Sequence, residues 1–181
     1  MKIKQLLILC IFLLGINGVQ ASGNSIKYVP NLKFGKGIGT FSNDIEYERN
    51  IVPFTTGFVR YGSASYDIPG ASSVNAKFTN MSIGVRYNLI AFYVGTGYES
   101  SQVELTDGST NGKASGTISG PMVEIGQTFG LGPVASGIAL GVQMATNKIS
   151  YDNSANFSIG DLNLNGSVLL YKIEFYAGIN F

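Results

Sequence analysis

The residues able to do chemistry in this 181-residue chain are charged, and they recur at strand spacing. Asp44, Glu46 and Glu48 stand two apart, as do Lys172 and Glu174, while Lys27 and Lys33 share one parity. Arg60, Arg86, Glu99 and Glu124 keep a common parity with neighbouring small residues such as Gly62, Gly84, Gly97 and Gly126. Side chains two residues apart on an extended strand point to the same face. Charges at that spacing either line a solvated face or pair across an enclosed one. Here five cations (Lys27, Lys33, Arg60, Arg86, Lys172) meet six anions (Asp44, Glu46, Glu48, Glu99, Glu124, Glu174). Near-balance points to ion pairing, although the spacing does not assign individual pairs. A selectivity filter or proton path is the other use of such a set.

Other chemistries lose their residues. The chain has no His and no Trp, and its one Cys, Cys10, lies in an apolar amino-terminal run. Metal sites built on His or Cys are excluded, and so are disulfides. No cofactor is expected. Ser109 near Asp107, and Ser154 near Asp152, lack a base to activate them, and read as turn formers.

The elements that must position the charges begin after residue 21. Lys2 and Lys4 precede an uncharged apolar run, Leu6 to Leu14, followed by Val19-Gln20-Ala21. This is the pattern of a secretory signal peptide, residues 1–21, with cleavage expected after Ala21. The run is too short to span a membrane as a helix. Leu9 before Cys10 does not fit a lipoprotein signal. Loss of Lys2 and Lys4 leaves ten basic and eleven acidic residues, with no basic patch that would suit nucleic acid. Residues 22–181 then form one domain.

Period-two alternation recurs along that domain. Its clearest instances are Met81, Ile83, Val85 and Tyr87 against Asn80, Ser82, Gly84 and Arg86, and the last stretch, Tyr171 to Phe181. There Tyr171, Ile173, Phe175, Ala177, Ile179 and Phe181 share one face, opposite Lys172, Glu174, Tyr176, Gly178 and Asn180. Eight strands are predicted: 25–34, 40–49, 55–66, 77–88, 92 to about 103, 116–129, 134–147 and the terminal one. Pro30 removes a ladder donor from the first and suits only a strand end or an irregularity. Short connections at 50–54, 88–90 and 130–133 alternate with longer ones at 36–39, 67–76, 104–115 and 148–166.

Alternation does not say which face is enclosed. A lipocalin-like soluble barrel would turn the apolar parity inward. Three features favour lipid outside. Aromatics crowd strand ends on the apolar parity (Tyr28, Phe41, Tyr47, Tyr61, Tyr87, Phe92, Tyr98, Phe129, Tyr171, Phe181), as interfacial girdles do. The charged parity is rich in Gly and Ala, which suits a narrow interior. Its charges can pair there, and only paired charges are tolerable in such a place. The fold class is therefore all-β, an eight-stranded antiparallel up-and-down transmembrane β-barrel. An even strand number, with short turns on the side of both termini and longer loops opposite, matches the outer-membrane rule.

The signal peptide, the eight alternating strands and the Tyr171–Phe181 terminus resemble the small outer-membrane β-barrel family of Gram-negative bacteria. That family includes the transmembrane domain of outer-membrane protein A, outer-membrane protein X and opacity-type proteins. Met81-Ser82-Ile83-Gly84-Val85-Arg86-Tyr87-Asn88 looks like its repeated strands. The resemblance implies an outer-membrane location, with lipid and lipopolysaccharide around the barrel. It also implies that the barrel-assembly machinery reads Tyr171, Ile173, Phe175, Ile179 and Phe181. No peptidoglycan-binding domain follows Phe181, so the anchoring role of two-domain members is not implied. The barrel enzymes of the family use a His, so no enzyme is expected here. Two roles remain. One is a surface protein, an adhesin or surface antigen, whose external loops meet a host-surface ligand while ion pairs close its interior. The other is a narrow channel resembling the outer-membrane protein W type, with space left by Gly95, Gly97, Gly126, Gly137 and Gly141, unless those glycines accommodate large neighbours such as Phe58, Tyr93 and Tyr176, which is the favoured use of them.

Overall fold

The computed structural model describes residues 23–35, 38–67, 74–89, 92–108, 112–131, 133–151 and 166–181. The signal segment and its cleavage site lie outside these residues. Eight strands follow in order: β1 (Asn24–Gly35), β2 (Ile38–Val52), β3 (Thr55–Asp67), β4 (Val74–Asn88), β5 (Tyr93–Asp107), β6 (Gly112–Leu131), β7 (Val134–Tyr151) and β8 (Gly166–Asn180). Each pairs antiparallel with its sequence neighbour, and β8 pairs with β1 to close a barrel. Closure matters because a membrane offers no partner to an open strand edge.

The register fixes the geometry. From Phe34 the cross-strand partners run Tyr171, Val142, Val123, Thr96, Val85, Gly57 and Arg49, and return to β1 at Asn24, ten residues lower. That stagger over eight strands corresponds to a tilt of roughly 40° and to an interior just wide enough for side chains. Hydrogen bonds between Asn24 and Phe181 (N···O 3.3 and 3.0 Å) close the rim where the first and last strands meet. The β1–β8 register skips Val29 and Pro30, whereas Pro30 keeps its place opposite Asn43 on β2. The missing amide of Pro30 is thus absorbed at the seam. Between β2 and β3, Pro53 and Phe54 make the turn, with Phe54 at φ 64°. Proline first and a positive φ second is the pattern of a type II turn.

Strand extent differs from the sequence expectation at both ends. Ile38 and Gly39 open β2 and are not part of a turn, and β2 runs on to Val52. The connection expected at 67–76 is strand from Val74, and that at 104–115 is strand up to Asp107 and again from Gly112. Lys148 to Tyr151 prolong β7. The reason is a change in what each face meets. Toward the external end, β4 turns Val74, Ala76 and Phe78 inward and Asn75 and Lys77 outward. On β5, Val103 and Leu105 are buried while Gln102, Glu104 and Thr106 are exposed, and on β6 Ala114 and Ile118 are buried while Lys113, Ser115 and Thr117 are exposed. Apart from Val74, these inward residues form a buried apolar cluster with Ala64, Ala145, Val168 and Leu170. This external part is a water-facing barrel with an ordinary apolar core.

Below it the faces are reversed. Ile45, Tyr61, Met81, Ile83, Val123, Ile125, Leu140 and Phe175 are each at least half exposed on the outside, while the inside is polar. An apolar exterior wrapped round a charged interior is stable only in lipid, so the barrel spans a membrane. Phe54, Tyr87, Phe92 and Phe181 mark one edge of the apolar band, and Phe34, Phe41, Tyr61, Tyr98 and Tyr171 lie toward the other. Phe129, expected in the same girdle, is half-buried.

Candidate functional site: the charged interior

All eleven charged residues of the predicted interior set are buried. β1 positions Lys27 and Lys33, β2 Asp44, Glu46 and Glu48, and β3 Arg60. β4 carries Arg86, β5 Glu99, β6 Glu124, and β8 both Lys172 and Glu174. Each lies on the inner face because the alternation places it there. Their meeting inside depends on closure, since Arg60 and Glu174 are separated by 114 residues in sequence.

Ten of the eleven form one connected chain. Lys33 pairs with Glu99, and Lys172 bridges Glu99 at 2.8 Å and Glu174 at 2.7 Å. Arg60 bridges Glu174 at 2.5 Å and Glu46 at 2.6 Å, the latter through both Nε and Nη2. Arg86 reaches Glu46 at 2.6 Å, Glu124 at 2.6 Å and Glu48. Glu48 takes Lys27 at 2.5 Å. The two guanidiniums are the hubs because each presents several donors in a fixed fork. Such pairing offsets much of the desolvation cost that a lone interior charge would carry. Asp44 is the exception. It accepts a hydrogen bond from Asn31 Nδ2 at 3.4 Å and has no ion pair among the described residues.

Aromatic rings pack against the chain of charges. The Arg86 guanidinium lies over Phe58 (4.3 Å) and Tyr93 (4.8 Å), and the Lys27 ammonium over Tyr176 (4.9 Å). These rings carry no motif, and the sequence marks them only as possible neighbours of interior glycines. They do occupy the glycine spaces. A Cβ on Gly84 would lie 2.6 Å from Phe58, one on Gly126 would lie 2.5 Å from Tyr93, and one on Gly137 would collide with Tyr176. Tyr176 is fixed further by donating to the Gln127 carbonyl at 2.6 Å. Gly84, Gly126 and Gly137 thus make room for rings, whereas Gly95 lies against Glu124 and Arg86, and Gly97 and Gly141 lie close to the backbone of the neighbouring strand.

The residues expected as an assembly signal, Tyr171, Ile173, Phe175, Ile179 and Phe181, lie on the outer face at β8. Tyr171 stacks on Phe34 across the β1–β8 seam, with ring centroids 5.8 Å apart. Among the described residues no group of His, Cys, Asp and Glu is arranged to hold a metal ion.

No protein-family model matches the sequence, and no curated protein matches it. Solved structures do. Neisserial surface protein A is similar over 88% of this chain and 98% of its own, at 10% identity and a TM-score of 0.62. Ail, the attachment invasion locus protein of Yersinia pestis, solved with the heparin analogue sucrose octasulfate, matches over 88% and 97%, at 10% identity and a TM-score of 0.56. A major outer membrane protein of Thermus thermophilus matches over 87% and 99%, at 16% identity and a TM-score of 0.52. At such identities the likeness is one of architecture. The chain therefore has the fold of the eight-stranded bacterial outer-membrane β-barrels, and the outer membrane is where its apolar belt belongs.

Proposed function

We propose that the protein acts at the cell surface, as an adhesin or surface antigen, through connections that the barrel holds outside the membrane. The observation that carries this reading is the state of the lumen. A continuous chain of ion pairs runs from Lys33 to Lys27, with rings seated in the glycine spaces beneath it. A lumen filled in this way supports a plug, which would leave the external end as the place for function. Function on a rigid scaffold generally lies in its loops. Ail, named for attachment and invasion, supports the idea that such a barrel suits this role. On this reading the lipid partners surround the apolar belt, and the assembly machinery reads the outer face of β8.

Two measurements test it. The refolded mature chain, placed in planar bilayers, should be electrically silent once folding is confirmed by the heat-dependent gel shift. Reproducible conductance would move the narrow-channel reading ahead. Shortening the connections at 109–111 and 152–165 should reduce attachment of bacteria to host cells or matrix while leaving the gel shift intact. Unchanged attachment would remove the basis of the surface role.

A further inference from the structure

Asp44 stands apart from the rest of the interior charge. Five cations and five glutamates complete the chain of ion pairs without it. It is the sixth carboxylate, 1% exposed, and its Oδ1 has no hydrogen-bond partner among the described residues. Its Oδ2 receives only the long contact from Asn31. Two neighbours on the same inner wall are in the same condition. Among the described residues, Asn31 is fully buried with Oδ1 unpartnered, and Ser42 is 1% exposed with Oγ unpartnered. Asn31 lies directly across from Ser42 in the β1–β2 register. Ser42 and Asp44 share the inner face of β2 two residues apart, so the three side chains spring from points roughly 5–7 Å apart. Glu124 and Glu174 also carry one unbonded oxygen each, but an arginine holds the other.

A lone carboxylate in such a place is costly unless something neutralises it. The set of eleven sums to one excess negative charge. We infer that Asn31, Ser42 and Asp44 form a site on the barrel's inner wall for one hard monovalent cation of the sodium type. The donors are all oxygens, which select hard cations. A single positive charge brings the set to neutrality, whereas a divalent ion would overshoot by one. A proton on Asp44 would also neutralise the charge and would donate to one of the other two oxygens, so the response to sodium is what separates the two. The inner face of the β1–β2 hairpin stays polar toward the external rim at Thr40.

The test is a titration of the folded mature chain in lipid vesicles. The midpoint of the heat-dependent gel shift is followed as sodium replaces N-methylglucamine at constant ionic strength. The wild-type midpoint should rise and saturate with sodium. Asp44→Asn should flatten the response, and Ser42→Ala, which keeps the carboxylate, should raise the half-saturating concentration several-fold. A flat wild-type response would overturn the inference, because water or a proton would then satisfy the site. An unchanged response in Asp44→Asn would also overturn it, since the ion would be acting elsewhere. So would saturation by magnesium without an effect of sodium. Should Asp44→Asn fail to fold, Ser42→Ala decides, and an unshifted half-saturation there would sink the site.

Discussion

At membrane level β4 turns Ser82 and Arg86 inward and Met81, Ile83 and Val85 outward, while nearer its external end it turns Ala76 and Phe78 inward and Asn75 and Lys77 outward. The parity never changes along this strand. The chemistry on the two faces does, and β5 and β6 change with it. Below the change the solvent is lipid, so apolar side chains lie outside and charges must find each other within. Above it the solvent is water, and the familiar order returns, with an apolar core and a polar skin. The strands are continuous across the boundary, so nothing in backbone geometry sets it. The medium outside each level decides which parity is apolar.

The comparison can be broken at each level, and the effects should differ in kind. The largest should come from the charged interior. Arg86→Met takes a partner from Glu46, Glu48 and Glu124 at once and leaves Glu124 only the longer contact to Arg60 at 3.9 Å. Removing one partner from such a cluster costs about 3–5 kcal/mol, read as a fall in the urea midpoint of the vesicle-embedded barrel. Next is the lipid face. Ile83→Arg, at a position 57% exposed on the outside, should cost roughly 2–4 kcal/mol near mid-bilayer and should lower the folded fraction on gels. A cation is already tolerated six residues away as Lys77, where water begins. A milder change in the external core, Ile118→Val, should cost about 0.5–1.5 kcal/mol. It should raise hydrogen exchange in the outer ends of β5 and β6 while leaving membrane-level amides protected. Smallest of all, Ser82→Ala, an inward position outside the chain of ion pairs, should stay within about 0.5 kcal/mol of wild type. If Ile83→Arg and Ser82→Ala folded equally well, the assignment of faces would be wrong.

Much of the membrane-level barrel is legible in the sequence because its contrast is strong. Met81, Ile83 and Val85 against Ser82, Gly84 and Arg86 leave little doubt about a strand or its faces. The external level is harder, because the reversed pattern is weaker. In Val74-Asn75-Ala76-Lys77-Phe78 the inward residues are small or spaced by polar ones that look like loop. Residues 104–107 and 112–115 look like connection for the same reason, although Asp107-Gly108 and Asn111-Gly112 do mark the hairpin between β5 and β6. The outward Gln102, Glu104, Thr106, Lys113, Ser115 and Thr117 are the signal that strands continue into water. The charged set is legible as a set. Its partners are not, because Arg60 and Glu174 are brought together only by the stagger at which the barrel closes. The isolation of Asp44 is hidden for the same reason. One excess anion can be counted, but which one is left over depends on the closed barrel.

The uneven lengths of the hairpins bear on what an approaching body touches first. β1 and β2 meet at Gly35 and Ile38, whereas β5 and β6 run on to Asp107 and Gly112. From Ser100 to Asp107 a tilted strand climbs roughly 18 Å, and the packed apolar core behind it keeps it upright. Among the described residues the rim is therefore a ramp. An antibody, a phage tail fibre or a protease coming down from the medium collides with the crest around Gly108 before it can reach the low side, where the wall is nearest the bilayer. Immune recognition and proteolytic nicking should concentrate at that crest, and the low side should be open only to small molecules.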